Sequence, residues 1–325
     1  MPDLQSNILY LPRLGWYLPI YIDYALLEGR HAVAKHFFLA INLLAVSICA
    51  PLALHLTRQF YRSTVIHPSL KLVYVVHFCT YQVFCISSIV CLIYQGQYLI
   101  IPKTFPEDLP ITIFGAHKIE YQWSQVFFTL VIVIERFVAT IRMRKYERSR
   151  NISLGVVLCL VQQALGGYLG YLSVTSSLNL FLSFFLLLFL IIPVSLVFVY
   201  IYKFNKSQLV RVLSTPFTLS IKYQIIENLY VFKTLNDIVG LSAFCLFSTN
   251  ILIVASRFID IGGPYGFWQI IISFLTELIF TTTPVLLIWR LNRNESLRKS
   301  VRGKTMARQQ EGADHYFKDL QESWK

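Results

Sequence analysis

Long uninterrupted hydrophobic segments recur along this chain, separated by shorter segments rich in polar and charged residues. Each segment is close to the roughly 20 residues that a helix needs to cross the hydrocarbon core of a membrane. The pattern predicts seven membrane-spanning helices, which are Phe37–Leu54, Leu72–Tyr94, Trp123–Ile141, Ile152–Val174, Leu178–Tyr202, Ile238–Ser256 and Phe267–Trp289. Because the segments are continuous rather than alternating, they favour a helix bundle over a membrane β-barrel. We therefore expect one all-α domain over residues 1–325.

The distribution of positive charge predicts the orientation of this bundle. Of the 29 Lys and Arg residues, 23 fall on the side of the predicted spans that holds the C-terminus. Basic residues near span ends stay in the cytoplasm, so residues 1–35 are predicted to lie outside and residues 290–325 to form a cytoplasmic tail. The net charge of +12 is then the cationic inner face of a membrane protein. It does not indicate a nucleic-acid partner.

Charged side chains inside a membrane span are costly, and this chain has few of them. Glu135 and Arg136 are adjacent near the inner end of the third predicted span, after an uncharged run from Trp123 to Ile134. One interpretation is a resemblance to the acid–arginine pair of seven-helix G-protein-coupled receptors, which implies a role in coupling to a cytoplasmic partner. The other is an anchor whose long side chain reaches the inner membrane surface.

A second group of charged residues belongs to the outer half of the predicted bundle. Lys118 and Glu120, with His117, stand at the predicted outer mouth of the third span, where they form either a ligand contact or a simple interfacial ion pair. Glu277 lies within the seventh predicted span. It could be a ligand counter-ion, an ion site, an acid kept neutral by burial, or a structural hydrogen-bonding group.

An inner loop predicts one further helix, and the absence of known motifs bears on whether the protein is an enzyme. Ile221, Ile225, Leu229 and Phe232 share one helical face, which predicts an amphipathic helix over residues 219–236. The sequence contains no metalloprotease, nucleophile-elbow, P-loop or dinucleotide-binding motif and no zinc-type spacing. We expect neither an enzyme nor a bound cofactor or metal.

Two inner-face segments resemble a known receptor family. Glu135-Arg-Phe-Val-Ala-Thr140 followed by Lys145-Tyr-Glu-Arg-Ser-Arg150 resembles the end of the third span in nematode serpentine chemoreceptors. Leu219-Ser-Ile-Lys-Tyr-Gln-Ile-Ile-Glu-Asn228 resembles their loop before the sixth span. Together they are most similar to the class epsilon (Sre) family of the Sra-type superfamily. The positions that match the family pattern are Glu135, Arg136, Tyr146, Glu147, Tyr223, Gln224, Glu227 and Asn228.

The resemblance implies a G-protein-coupled chemoreceptor in the plasma membrane of sensory neurons, at the cilium. Its expected partners are a small-molecule ligand, a heterotrimeric G protein and the lipid bilayer. By analogy, the matching inner-face residues would serve coupling. Two other classes stay open: a seven-span ligand-gated cation channel of the insect chemoreceptor kind, which has its N-terminus inside, and a membrane transporter. A scaffold without a ligand is a further alternative.

Overall fold

The structure is a computed structural model that describes only part of the chain. The described residues are 9–11, 16–18, 32–62, 67–99, 108–142, 152–175, 180–213, 229, 271, 274–290 and 292–293. The predicted span Ile238–Ser256 lies outside them, as does the 219–236 helix apart from Leu229, which is helical. Six of the coupling residues also lie outside them: Tyr146, Glu147, Tyr223, Gln224, Glu227 and Asn228.

Long helices make up most of the described structure. Five of them are long and apolar enough to cross a membrane, as the hydrophobic segments predicted. They are α1 (Ala32–Tyr61), α2 (Pro68–Gln95), α3 (Leu109–Ile141), α4 (Ser153–Val174) and α5 (Leu180–Leu213). Residues 274–290 are also helical and are called the C-terminal helix below. The expected all-α bundle is thus confirmed for these segments.

A short β-hairpin precedes the helices and was not predicted. Strand β1 (Leu9–Leu11) pairs antiparallel with β2 (Trp16–Leu18), with Leu9 opposite Leu18. Three residues are too few for an alternating pattern to be recognised in a sequence. Strand β2 lies against α4, so the hairpin packs on the helical bundle.

The start of α3 corrects the sequence prediction. The third span was predicted to begin at Trp123, with Lys118 and Glu120 outside it, but α3 begins at Leu109. Pro110 occupies the first helical turn, where its missing N–H is not needed. The prediction failed because charged residues lower the mean hydropathy of this segment. A buried charge can nevertheless lie within a span when a partner neutralises it.

Two glycines allow α3 and α4 to pack with their backbones close together. A Cβ atom added to Gly166 would lie 3.0 Å from the Cα of Ser124, and one added to Gly170 would lie 3.0 Å from the Cα of Glu120. Gly166 and Gly170 are separated by three residues, the spacing with which small residues bring membrane helices together. Their paired positions run in opposite directions, so α3 and α4 are antiparallel.

Substitution of these glycines tests the close packing. We expect Gly166→Ala and Gly170→Ala each to lower the free energy of unfolding by about 1–3 kcal/mol, because the added methyl meets backbone atoms that cannot rotate away. Gly167→Ala is the matched control, since its Cβ would meet only the end of the Glu120 side chain, at 4.0 Å. Thermal unfolding of the three variants in lipid nanodiscs gives the comparison. Equal unfolding temperatures would contradict the packing described here.

Contacts at both ends align the C-terminal helix with α1. The rings of Phe38 and Phe274 lie 4.9 Å apart between centroids. Eighteen residues further along each segment, the side-chain amide of Asn292 donates a hydrogen bond of 2.9 Å to the carbonyl of Leu56. The C-terminal helix therefore runs parallel to α1, and the two place their N-terminal ends at the same side of the bundle.

Candidate functional site

Helix α3 carries a buried ion pair near its predicted inner end. The Nε atom of Arg136 donates to Oε2 of Glu135 at 2.5 Å, and Nη2 donates to Oε1 at 2.8 Å. Glu135 is 0% and Arg136 2% exposed, so both charges lie inside the protein. A two-point contact of this kind is among the stronger hydrogen-bonded arrangements in proteins. The interpretation of Arg136 as an anchor reaching the membrane surface is therefore wrong for this structure.

Neighbouring helices cover this pair. The Tyr74 hydroxyl of α2 is buried without a hydrogen-bond partner among the described residues, and it lies near enough to Glu135 and Arg136 to interact with both charges. One turn beyond Arg136, the hydroxyl of Thr140 accepts a hydrogen bond of 3.2 Å from Asn205 of α5. In this structure Arg136 is therefore inaccessible to a partner protein.

A second buried ion pair lies near the predicted outer end of α3. Lys118 forms a salt bridge with Glu277 of the C-terminal helix, and their side chains are 2% and 7% exposed. The position expected for Lys118, in an outer mouth accessible to water, is therefore wrong. Burial of the ammonium group is tolerated because Glu277 supplies the opposite charge. Glu277 is thus the counter-ion of Lys118, a role that the sequence analysis did not consider, and its role as a ligand counter-ion stays a prediction.

Glu120 does not join the buried pair. Its carboxylate contacts Nδ1 of His117 at 3.1 Å, and the two side chains are 33% and 20% exposed. This contact matches the interfacial pair that was one of the two interpretations of the segment. The three candidate ligand residues thus separate into a buried pair, Lys118 with Glu277, and a partly exposed Glu120.

Several polar groups that the sequence analysis did not select lie beside the buried pair. The hydroxyl of Tyr81 donates a hydrogen bond of 2.6 Å to the backbone carbonyl of Thr281. Pro284 has no N–H to donate to the carbonyl of Phe280, so the helical hydrogen bonding is interrupted next to the carbonyl that Tyr81 binds. The signal in the sequence is the spacing of Glu277 and Thr281, one helical turn apart in the predicted span Phe267–Trp289.

A third polar cluster joins α2, α3 and α4 between the two ion pairs. The side-chain amide of Gln162 contacts Nδ1 of His77 at 3.3 Å and donates to the hydroxyl of Ser124 at 3.1 Å. The His77 ring stacks on Phe128 with centroids 3.7 Å apart. Such hydrogen bonds hold membrane helices together. Within the described ranges, no group of three or more His, Cys, Asp or Glu side chains is arranged to hold a metal ion.

The membrane-spanning helices and the two buried ion pairs together define a class of protein. The chain is a multi-pass helical membrane protein in which one helix, α3, carries separate buried ion pairs near opposite ends.

Comparison with protein families identifies the receptor type. Residues 16–289 match the family model described as Sre G protein-coupled chemoreceptor. The chain belongs to this family, so it is a serpentine chemoreceptor, and the resemblance seen in the inner-face segments is confirmed. This is a family of receptors and not of enzymes. A search of curated proteins finds no match.

Proposed function

We propose that this chemoreceptor binds a small molecule in the outer half of a seven-helix bundle and activates a heterotrimeric G protein at the inner face. The observation that carries the proposal is the pair of buried salt bridges near the two ends of α3. Glu135 with Arg136 occupies the predicted cytoplasmic end. Lys118, joined to Glu277 of another helix, occupies the predicted outer end.

Helix directions support the proposed seven spans. Helix α4 is antiparallel to α3, and only the short segment 175–179 separates α4 from α5. Helix α5 therefore runs in the same direction as α3. Helix α1 does so too, because α2 is antiparallel to α3, with Tyr74 against Phe128 and Phe84 against Tyr121, and only residues 62–67 separate α1 from α2. The C-terminal helix also runs parallel to α1, as its contacts with Phe38 and Leu56 require. A membrane chain with two successive spans in the same direction must cross back between them, which the hydrophobic segment Ile238–Ser256 is apolar enough to do.

Burial of Arg136 supports a two-state mechanism of coupling. With 2% of its surface exposed, Arg136 is held by Glu135 and is inaccessible to a partner. A ligand shifts such an equilibrium only by binding one state more tightly than the other. In the proposed active state, Arg136 leaves Glu135 and contacts the G protein. Tyr146 and Glu147, together with Tyr223, Gln224, Glu227 and Asn228 before the sixth span, would complete this contact by resemblance.

The proposed ligand contacts are Lys118 and Glu277, with Glu120 at the partly exposed rim. The salt bridge joins α3 to the C-terminal helix, so a ligand that alters it also alters the packing of the helix that carries Arg136. Through family resemblance, we place the receptor in the plasma membrane of chemosensory neurons, at the cilium. The main alternative remains a ligand-gated cation channel with its N-terminus inside, and the other is a transporter.

Epitope tags at the two termini distinguish these alternatives. We expect an N-terminal tag to be detected on intact cells and a C-terminal tag only after permeabilisation, because most basic residues lie on the C-terminal side. A C-terminal tag detected on intact cells would overturn the proposed topology. Ligand-evoked currents or flux that persist when G-protein signalling is blocked would favour the channel or the transporter over the receptor.

A further inference from the structure

A group of five buried polar atoms without a hydrogen-bond partner among the described residues lies on the helices around the Lys118–Glu277 salt bridge. They come from α1, α2, α3 and the C-terminal helix. The atoms are Asn42 Oδ1, Ser88 Oγ, Tyr121 Oη, Glu277 Oε1 and Thr281 Oγ1. Polar atoms that are buried without partners are unfavourable and uncommon, so a group of them requires an explanation.

Three of these atoms belong to residues next to the salt bridge along the helices that form it. Glu277 and Thr281 lie one turn apart on the C-terminal helix, and Tyr121 lies one turn after Lys118 on α3. Lys118 binds Glu277, while Tyr81 donates to the Thr281 carbonyl and has its ring 6.0 Å from that of Tyr121. Tyr121 and Thr281 therefore flank the Lys118–Glu277 salt bridge, each one turn away from one of its two members.

The other two atoms belong to helices that border the same region. Ser88 lies on α2 between Cys85 and Cys91, and both thiols are close enough to Glu277 to interact with its charge. Asn42 lies one turn after Phe38, whose ring contacts Phe274 at the start of the C-terminal helix. Each of the four helices around the salt bridge thus carries at least one buried polar atom without a partner among the described residues.

We propose that this polar cluster binds a small, neutral molecule carrying at least one hydroxyl group, an inference that rests on the receptor function proposed above. Asn42 Oδ1 and Glu277 Oε1 can only accept hydrogen bonds, whereas the three hydroxyls can donate or accept. The molecule that satisfies them must therefore donate at least one hydrogen bond. An alcohol supplies both a donor and an acceptor.

The salt bridge selects against charged ligands. Lys118 and Glu277 neutralise each other, and both are buried. A carboxylic acid that bound Lys118 would leave the Glu277 carboxylate without its partner. An ammonium ion that bound Glu277 would lie beside the buried Lys118 ammonium. Each leaves an uncompensated charge away from water, which a neutral alcohol does not.

A panel of matched compounds tests this selectivity. Several carbon skeletons, cyclohexyl and n-hexyl among them, are each supplied as the alcohol, the primary amine and the carboxylic acid to cells expressing the full chain. We expect calcium responses to alcohols, at concentrations at which the corresponding amines and acids are inactive. Responses confined to amines or acids would overturn the proposal. Absence of any alcohol response from a receptor present at the cell surface would also overturn it.

Two adjacent threonines provide a matched pair of variants. Thr281→Val removes a hydroxyl that has no partner in the described structure, whereas Thr282→Val removes one that already donates to the carbonyl of Leu278 at 2.8 Å. We expect Thr281→Val to raise the alcohol concentration for a half-maximal response about fivefold, the effect of one lost hydrogen bond. Thr282→Val should leave that concentration unchanged.

The result for Thr281→Val decides the proposal separately from the receptor function. An alcohol response that is equally sensitive to both substitutions, or to neither, would overturn the assignment of the polar cluster. The proposed receptor function is tested separately, by measuring ligand-free signalling and whether that signalling requires Arg136. If only the alcohol site is wrongly assigned, ligand-free signalling still requires Arg136. If the protein is not a G-protein-coupled receptor, no signalling that requires Arg136 is observed.

Discussion

Replacement of Glu277 by Ala is expected to lower the free energy of unfolding by about 3–5 kcal/mol, because it leaves a buried Lys118 ammonium without its counter-charge. Lys118 has 2% of its side chain exposed and contacts Glu277 directly. The substitution also removes one of the contacts between α3 and the C-terminal helix. Thermal unfolding in nanodiscs and the amount of receptor at the cell surface provide the measurements.

Two further variants separate the charge from the packing at this position. In the double variant Lys118→Leu with Glu277→Leu, no unpaired charge remains, so most of the lost stability should return. Glu120→Gln is the control within the same helix, because its partner His117 and the Glu120 side chain are partly exposed. An exposed pair contributes about 1 kcal/mol or less. Equal losses for Glu277→Ala and Glu120→Gln would contradict the buried salt bridge.

The positions of the membrane helices were largely predictable because hydrophobic length is a local property of the sequence. The start of α3 was not, because its cause is a contact between distant segments. Lys118 and Glu120 lower the hydropathy of residues 109–122, so a local pattern places this segment outside the membrane. Only the folded bundle shows that Glu277, on another helix, neutralises Lys118.

For the candidate sites, the residues were predictable from the sequence, but their contacts were not. The sequence identifies Glu135 and Arg136 as an adjacent pair, but residues adjacent in a helix point in different directions. Their direct contact depends on the two side-chain conformations, and the position of Tyr74 beside both charges depends on how α2 packs against α3. The close approach of α3 and α4 at Gly166 is a similar case, because a glycine does not identify the helix that packs against it.

Substitutions at the inner ion pair are expected to change signalling in opposite directions. Glu135→Gln removes the charge that holds Arg136 but nearly preserves the side-chain shape, so ligand-free signalling should rise. Arg136→Gln removes the proposed contact with the G protein and should reduce signalling tenfold or more, which is about the range of coupling energies between sites in proteins. Signalling per receptor at the cell surface, measured for both variants beside the unaltered chain, tests this prediction.

Folding defects are a separate outcome that this comparison detects. Both variants disturb the same buried pair, in which Glu135 is 0% exposed and Arg136 2% exposed. A general loss of structure would therefore reduce signalling in both variants. Opposite changes at matched surface levels would instead be explained by restraint of Arg136 in the inactive state.

Nucleotide exchange on purified heterotrimeric G proteins, catalysed by the full chain in nanodiscs, tests the proposed function most directly. We expect the unaltered chain to accelerate exchange on at least one G protein. Glu135→Gln should accelerate exchange further, and Arg136→Gln should abolish the acceleration. An Arg136→Gln variant that is folded and still accelerates exchange at the unaltered rate would contradict the role given to Arg136. Ion conduction by the same nanodisc protein, without acceleration of exchange on any G protein, would contradict the proposed function itself.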